Sequence, residues 1–87
     1  MFVVVQHDIA NADAFFEGAE SVVNSVPRGL KNVQFFPSSD RKRAVCLWEA
    51  PSVDAVKNFL EPKIASISRN TYYAIDSKVA MGLPVPA

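Results

Sequence analysis

Two short stretches of this chain, Phe2–Val5 and Ala44–Trp48, are apolar at every position. Short runs of β-branched and aromatic residues without Gly or Pro form strands. Successive side chains of a strand point to opposite faces, so an unbroken apolar run greases both faces of a sheet. In the first stretch Phe2 and Val4 take one side, and Val3 and Val5 take the other. In the second, Ala44, Cys46 and Trp48 oppose Val45 and Leu47. Two further runs share the property: Val33 and Phe35 oppose Phe36, and Tyr73 and Ile75 oppose Tyr72 and Ala74. Both faces of such a sheet must be covered, and the chain has only 87 residues with which to do it.

The elements follow from local pattern. Phe2 to Ile9 reads as strand one. Asn11 is an N-cap with Asp13 in the first turn, where a carboxylate favours the helix dipole. Phe15, Phe16, Ala19, Val22, Val23 and Val26 then form a single apolar stripe at helical spacing. Pro27-Arg28-Gly29 ends that helix, with Gly29 free to adopt positive φ. Asn32 to Phe36 and Arg43 to Ala50 are strands two and three, joined as a hairpin by Pro37-Ser38-Ser39-Asp40. Ser52 caps a second helix, with Asp54 in its first turn and Val56, Phe59, Leu60, Ile64 and Ile67 on its apolar face. Pro62 removes a backbone donor, so a kink or break is expected near Leu60 to Glu61. Thr71 to Asp76 is strand four. The tail from Val79 to Pro86 is apolar, and its prolines exclude a central strand.

Strand, helix, hairpin, helix, strand is the split β-α-β order. It predicts one α+β domain spanning residues 1–87, of ferredoxin-like β-α-β-β-α-β type, with a four-stranded antiparallel sheet and two helices on one face. Strands one and three should be central, with strands four and two at the edges, and the crossover rule is taken to make the central pair parallel. The helices cover one face. The economical cover for the other is a second subunit, giving a homodimer through the sheet face. The tail, residues 79–87, is expected to be ordered, against the partner or across its own sheet; so short a Pro-rich strap covers little area on its own.

Over Ala44-Val45-Cys46-Leu47-Trp48-Glu49-Ala50-Pro51-Ser52-Val53-Asp54-Ala55-Val56, and in element order over almost the whole chain, the sequence resembles the dimeric α/β-barrel superfamily. The resemblance is to its small stand-alone members of unknown function, including nickel-binding relatives. It implies two ferredoxin-like sheets packed face to face. Members of that superfamily include cofactor-free monooxygenases, haem-degrading enzymes, lactone isomerases and proteins without assigned activity, so the fold alone does not choose a function.

Charge narrows the choice of partner. Lys and Arg total 9 and Asp and Glu total 9, a formal net charge of zero, which argues against nucleic acid. The Arg41-Lys42-Arg43 cluster beside Asp40 reads as a solvated hairpin tip. A single cysteine, Cys46, excludes an internal disulfide and suits a reducing compartment. The first residues lack the features of a signal peptide, and no segment reads as a membrane span, so the cytoplasm is the expected location.

Few residues carry chemistry. His7, the only histidine, shares a side with Val3 and Val5 and should face a covered layer. It is either a general base or a structural histidine bonded at a strand end, the commoner arrangement. Trp48 either stacks on a ligand or packs as core. Cys46 lies mid-strand among apolar residues and reads as buried and inert. Asp8 and Glu49, placed near the ends of the central strands, could join His7 in an acid–base group. One histidine, one cysteine and scattered carboxylates have no metal-ligand spacing, so no metal site is assigned. In haem-degrading and antibiotic-type monooxygenase members a pocket Asn, a Trp and a His or Tyr recur. Here Trp48 would supply the indole and Tyr72 or Tyr73 the phenol, but position 7 holds His rather than Asn, and no second histidine exists as a haem ligand. No cofactor is expected.

Three functions fit these residues. The first is binding of a small, mostly apolar ligand between sheet and helices, in a pocket lined by Phe15, Val22, Trp48 and a tyrosine. The second is an enzyme in the same pocket, a cofactor-free oxygenase or isomerase with His7 as base, Trp48 stacking and Tyr72 or Tyr73 as donor. The third is a structural or interaction module with no pocket.

Overall fold

A computed structural model describes residues 1–84 of the chain. Its elements are β1 (Phe2–Ile9), α1 (Ala12–Asn24), β2 (Lys31–Pro37), β3 (Arg43–Glu49), α2 (Val53–Ile64) and β4 (Ser68–Ala74). They form the β-α-β-β-α-β ferredoxin-like fold, with a single sheet in the order β2-β3-β1-β4.

Every pairing in the sheet is antiparallel, which corrects the parallel central pair expected from the crossover rule. The α1 crossover does leave β1 and β2 parallel, but they are not neighbours. The hairpin strand β3 returns between them and runs opposite to both.

Local chemistry sets the ends of the elements. The Asn11 side chain accepts from the Ala14 N–H at 3.1 Å, and Ser52 Oγ accepts from the Ala55 N–H at 3.1 Å, each satisfying a free donor of a first helical turn. At the hairpin tip Ser38 Oγ donates to Asp40 Oδ1 at 2.7 Å, and the same carboxylate oxygen accepts from the Lys42 N–H at 3.0 Å. Arg41 there adopts φ 63°, in the left-handed region.

Two expectations about the helices and strands change. Helix α2 does not break at Glu61 but runs through Pro62 to Ile64, and the Ala65 N–H still donates to the Glu61 carbonyl at 2.9 Å. Pro62 sits in the last turns, and the carbonyl it leaves without a donor belongs to Asn58, an exposed residue that water can serve. Strand β4 begins at Ser68, earlier than Thr71. Ser68 and Asn70 are poor β-formers, yet their pairing with β1 at Ile9 and His7 draws them into the sheet.

Both helices lie against the face that carries Val3, Val5, Cys46 and Trp48. Val56, Leu60 and Ile64 of α2 complete the main core, with Val22 and Val26 partly buried against it. Ile9, Phe15 and Ala44 form a smaller cluster under α1. In β2 the register shifts between Asn32 and Gln34. This irregularity, of the kind an extra residue introduces, puts Asn32 opposite Trp48 and Phe35 opposite Cys46. Asn32, rather than Val33, therefore accompanies Phe35 on the helix side.

The other face of the sheet is apolar, as the unbroken strands require. Leu47 is buried there, while Phe36 is 60% exposed and Tyr73 43% exposed. The tail returns across it. After a turn in which the Val79 and Ala80 N–H groups both donate to the Asp76 carbonyl, Ala80, Met81, Gly82 and Leu83 border a hollow shared with Val4, Phe36 and Leu47. The tail thus supplies part of the second cover within the chain. The end of that segment, 85–87, lies outside the described residues.

Candidate functional site

The register of the sheet builds a polar cluster inside the apolar layer. His7 is opposite Ala44 on β3 and opposite Asn70 on β4, and Val5 is opposite Cys46 and Tyr72. Diagonal neighbours on one face are within side-chain reach, so His7 is flanked by Cys46 on one side and Asn70 on the other. His7 is 4% exposed. Nδ1 lies 2.7 Å from Asn70 Oδ1, and Nε2 lies 3.0 Å from Cys46 Sγ.

The surrounding bonds fix who donates. Asn70 Nδ2 donates to Glu61 Oε1 at 2.9 Å and to the Ser68 carbonyl at 3.1 Å. Its Oδ1 is therefore the end facing His7, and it accepts from Nδ1–H. That leaves Nε2 of a neutral ring as the acceptor for the Cys46 thiol proton. Tyr72 OH donates to the same Glu61 oxygen at 2.6 Å. The result is one chain of bonds, Cys46 to His7 to Asn70 to Glu61, anchored in α2.

Electrostatics agree with the neutral pair. Burial lowers the His7 pKa, outweighing the Asn70 hydrogen bond and the Glu61 charge, which both raise it. Burial pushes the Cys46 thiol up to about 12, with the Trp48 indole opposing the rise. The Tyr72 hydroxyl, followed by the bond from Asn70, holds Glu61 below its ordinary value against partial burial. Tyr72 is raised, first by burial and then by its bond to Glu61.

Beside this cluster, between sheet and helices, is a cavity of about 130 Å³. Its wall includes Phe15, Val22 and Trp48, the three residues singled out from sequence, together with His7 and Cys46. The Phe15 ring meets the imidazole edge-on at 5.1 Å between centroids. Gly18 opens the α1 side: a Cβ built there meets nothing within 4 Å. Lys63 is the charged residue on the lining. Among the described residues, Trp48 Nε1 is the buried side-chain polar atom without a hydrogen-bond partner. A buried unpaired donor is costly in an apolar layer.

The remaining sequence candidates are dispersed. Tyr72 is on the helix face but is bonded to Glu61 and is not part of the cavity wall. Tyr73 points to the opposite face of the sheet, where its hydroxyl accepts from Gln6 Nε2 at 3.0 Å. It cannot share a site with His7, because adjacent strand residues alternate. The acid–base group of His7 with Asp8 and Glu49 is likewise not formed. Asp8 is exposed on the other side of β1, opposite Arg43 and Arg69, and Glu49 is opposite Phe2 at the far end of the sheet. Antiparallel pairing of β1 and β3 separates the two carboxylates that a parallel pair would have brought together.

Sequence reasoning missed Asn70, Glu61 and Ser68, which orient His7. The available signal was a polar residue alternating with Tyr72 in a strand that faces the core. Among the described residues, no three His, Cys, Asp or Glu side chains converge in a way that could hold a metal ion. No helix among them is long and apolar enough to cross a membrane. No protein-family model, curated protein or solved structure matches this chain.

Proposed function

We propose that this protein binds one small, largely apolar molecule in the cavity between its sheet and helices. The observation that carries the reading is the 130 Å³ cavity walled by Phe15, Val22 and Trp48. A dry cavity of roughly 150 Å³ in a well-packed protein takes up a benzene, so a six-membered ring is the appropriate size. The unpartnered Trp48 N–H supports a ligand that carries one acceptor, such as a carbonyl oxygen. Both ring nitrogens of His7 are occupied by Asn70 and Cys46, which favours binding over an oxygenase or isomerase in which the imidazole alone meets substrate.

The same reading takes the protein as a homodimer through its open sheet face, in the manner of the dimeric α/β-barrel superfamily, acting in the cytoplasm. Its support is the apolar surface around Phe36, Tyr73 and the tail, where Met81 is 96% exposed. Exposed apolar patches of this kind mark association surfaces.

Trp48 is the sole tryptophan, so its emission reports on the cavity directly. Titration with cyclohexanone should shift or quench that emission in a saturable way, and Gly18→Leu, which fills the wall, should remove the response. A response that is linear in ligand, or unchanged in Gly18→Leu, would refute the cavity as the binding site.

A further inference from the structure

The bond chain from Cys46 to Glu61 has a consequence for the cavity it borders. A thiol with a base within hydrogen-bond reach, the base in turn oriented by a third group, is the arrangement of an activated nucleophile. Here the base is His7 Nε2 at 3.0 Å, the orienting group is Asn70 Oδ1 at 2.7 Å, and Asn70 is itself held by Glu61 at 2.9 Å. Cys46 and His7 both belong to the cavity wall. Trp48 shares the helix-side face of β3 with Cys46 and also belongs to the cavity wall, and its Nε1 is a donor without a hydrogen-bond partner.

We propose that Cys46 adds covalently to small apolar α,β-unsaturated carbonyl compounds held in this cavity, with His7 carrying the thiol proton; the inference rests on the cavity being a ligand site. The steps balance without a co-reactant. Cys46 Sγ forms a bond to the β-carbon of the enone as its S–H proton passes to His7 Nε2. The carbon–carbon π electrons move to the carbonyl oxygen, and the Trp48 N–H is the donor available to that enolate. The imidazolium then returns the proton to the α-carbon, leaving a saturated ketone joined through a thioether.

The surroundings favour addition over acyl transfer. An acyl-thioester would need a leaving group to depart and a positioned water to release the product. Addition needs neither. Burial also disfavours a lasting imidazolium, and addition discharges it within the same event.

The test uses a matched pair of ligands on the full chain. Cyclohexanone reports occupancy through Trp48 emission; cyclohexenone, of nearly the same shape, reports reaction through intact mass and peptide mapping. The expected result is a single adduct of one whole enone, mapped to Cys46. Its rate should be level between about pH 7 and about pH 9, because both the neutral imidazole and the thiol persist across that range. His7→Gln should lower the rate by about 100-fold or more. A rate rising about tenfold per pH unit over the same range would overturn the proposal, because it describes a buried thiol reacting only when ionised by solvent. This profile is read on the unaltered protein, so it stands even if His7→Gln fails to fold. Cyclohexanone binding without any Cys46 adduct overturns the thiol proposal alone. No emission response to either ligand overturns the cavity reading and the proposal with it.

Discussion

His7 Nε2 and Cys46 Sγ are 3.0 Å apart across neighbouring antiparallel strands, and the thiol is the donor. The direction follows from residues on a third strand and a helix, because Asn70 turns its Oδ1 to the ring only while its Nδ2 is held by Glu61 and Ser68. A buried imidazole with both nitrogens satisfied is a rigid, neutral part of the core.

Removing that ring should therefore cost stability. His7→Ala leaves the buried thiol without its acceptor, while Asn70 Oδ1 keeps the Ser68 hydroxyl at 2.8 Å, at a cost of roughly 1–3 kcal/mol. His7→Gln retains one donor and one acceptor and should lose less. Chemical denaturation of the two variants beside the parent checks the order. Equal stability in all three would show that the bonds contribute nothing net.

Acid should weaken the fold through the same group. The His7 pKa is lowered on folding, so the unfolded chain takes up the proton first. Its contribution is present above the unfolded value of about 6.5 and is lost as pH falls toward the lowered folded value. Glu61, also lowered, adds a loss of the same sign below the ordinary carboxylate range. Melting temperature should thus decline on acidification from neutral pH, and the decline just below pH ~6.5 should flatten in His7→Gln.

Gly18 offers a test of opposite sign. It is in the interior of α1, without positive φ, and a Cβ there meets nothing within 4 Å. Gly18→Ala should stabilise by roughly 0.4–1 kcal/mol, chiefly by restricting the unfolded chain. Urea midpoints of the two proteins, at unchanged m-value, measure it.

The open sheet face can be probed at Phe36, which is 60% exposed and so replaceable without disturbing the core. Phe36→Glu should shift a dimer to monomer in sedimentation at micromolar protein while leaving the circular dichroism intact. Sedimentation of the parent should show a dimer, with a total interface above roughly 1,200 Å². A monomeric parent would refute the assembly outright.

The fold was legible because its signals are local and agree with one another. Asn11 and Ser52 mark helix starts by chemistry that acts within one turn, and Phe2 to Ile9 is a strand by composition alone. What sequence could not supply was register. Whether Glu49 lies beside Asp8 or at the other end of the sheet depends on strand direction, which no single strand encodes. The same holds for Asn70: its partnership with His7 spans 63 positions and arises only when β4 starts at Ser68. Cys46 is buried, as its apolar neighbours in sequence imply, but its partner His7 lies 39 positions away and cannot be read from those neighbours. Pro62 misled in another way, since its cost falls on an exposed carbonyl.

The tail that crosses the open face sets the terms on which a second copy can dock. Ala80 to Leu83 are joined to β4 by a short turn, and a tethered occupant acts at an effective concentration in the millimolar range. A free copy reaches the same ground either by displacing that segment or by packing against it. Association on this face is therefore favoured when the tail becomes part of the shared surface, so that its apolar residues form a wall between two sheets.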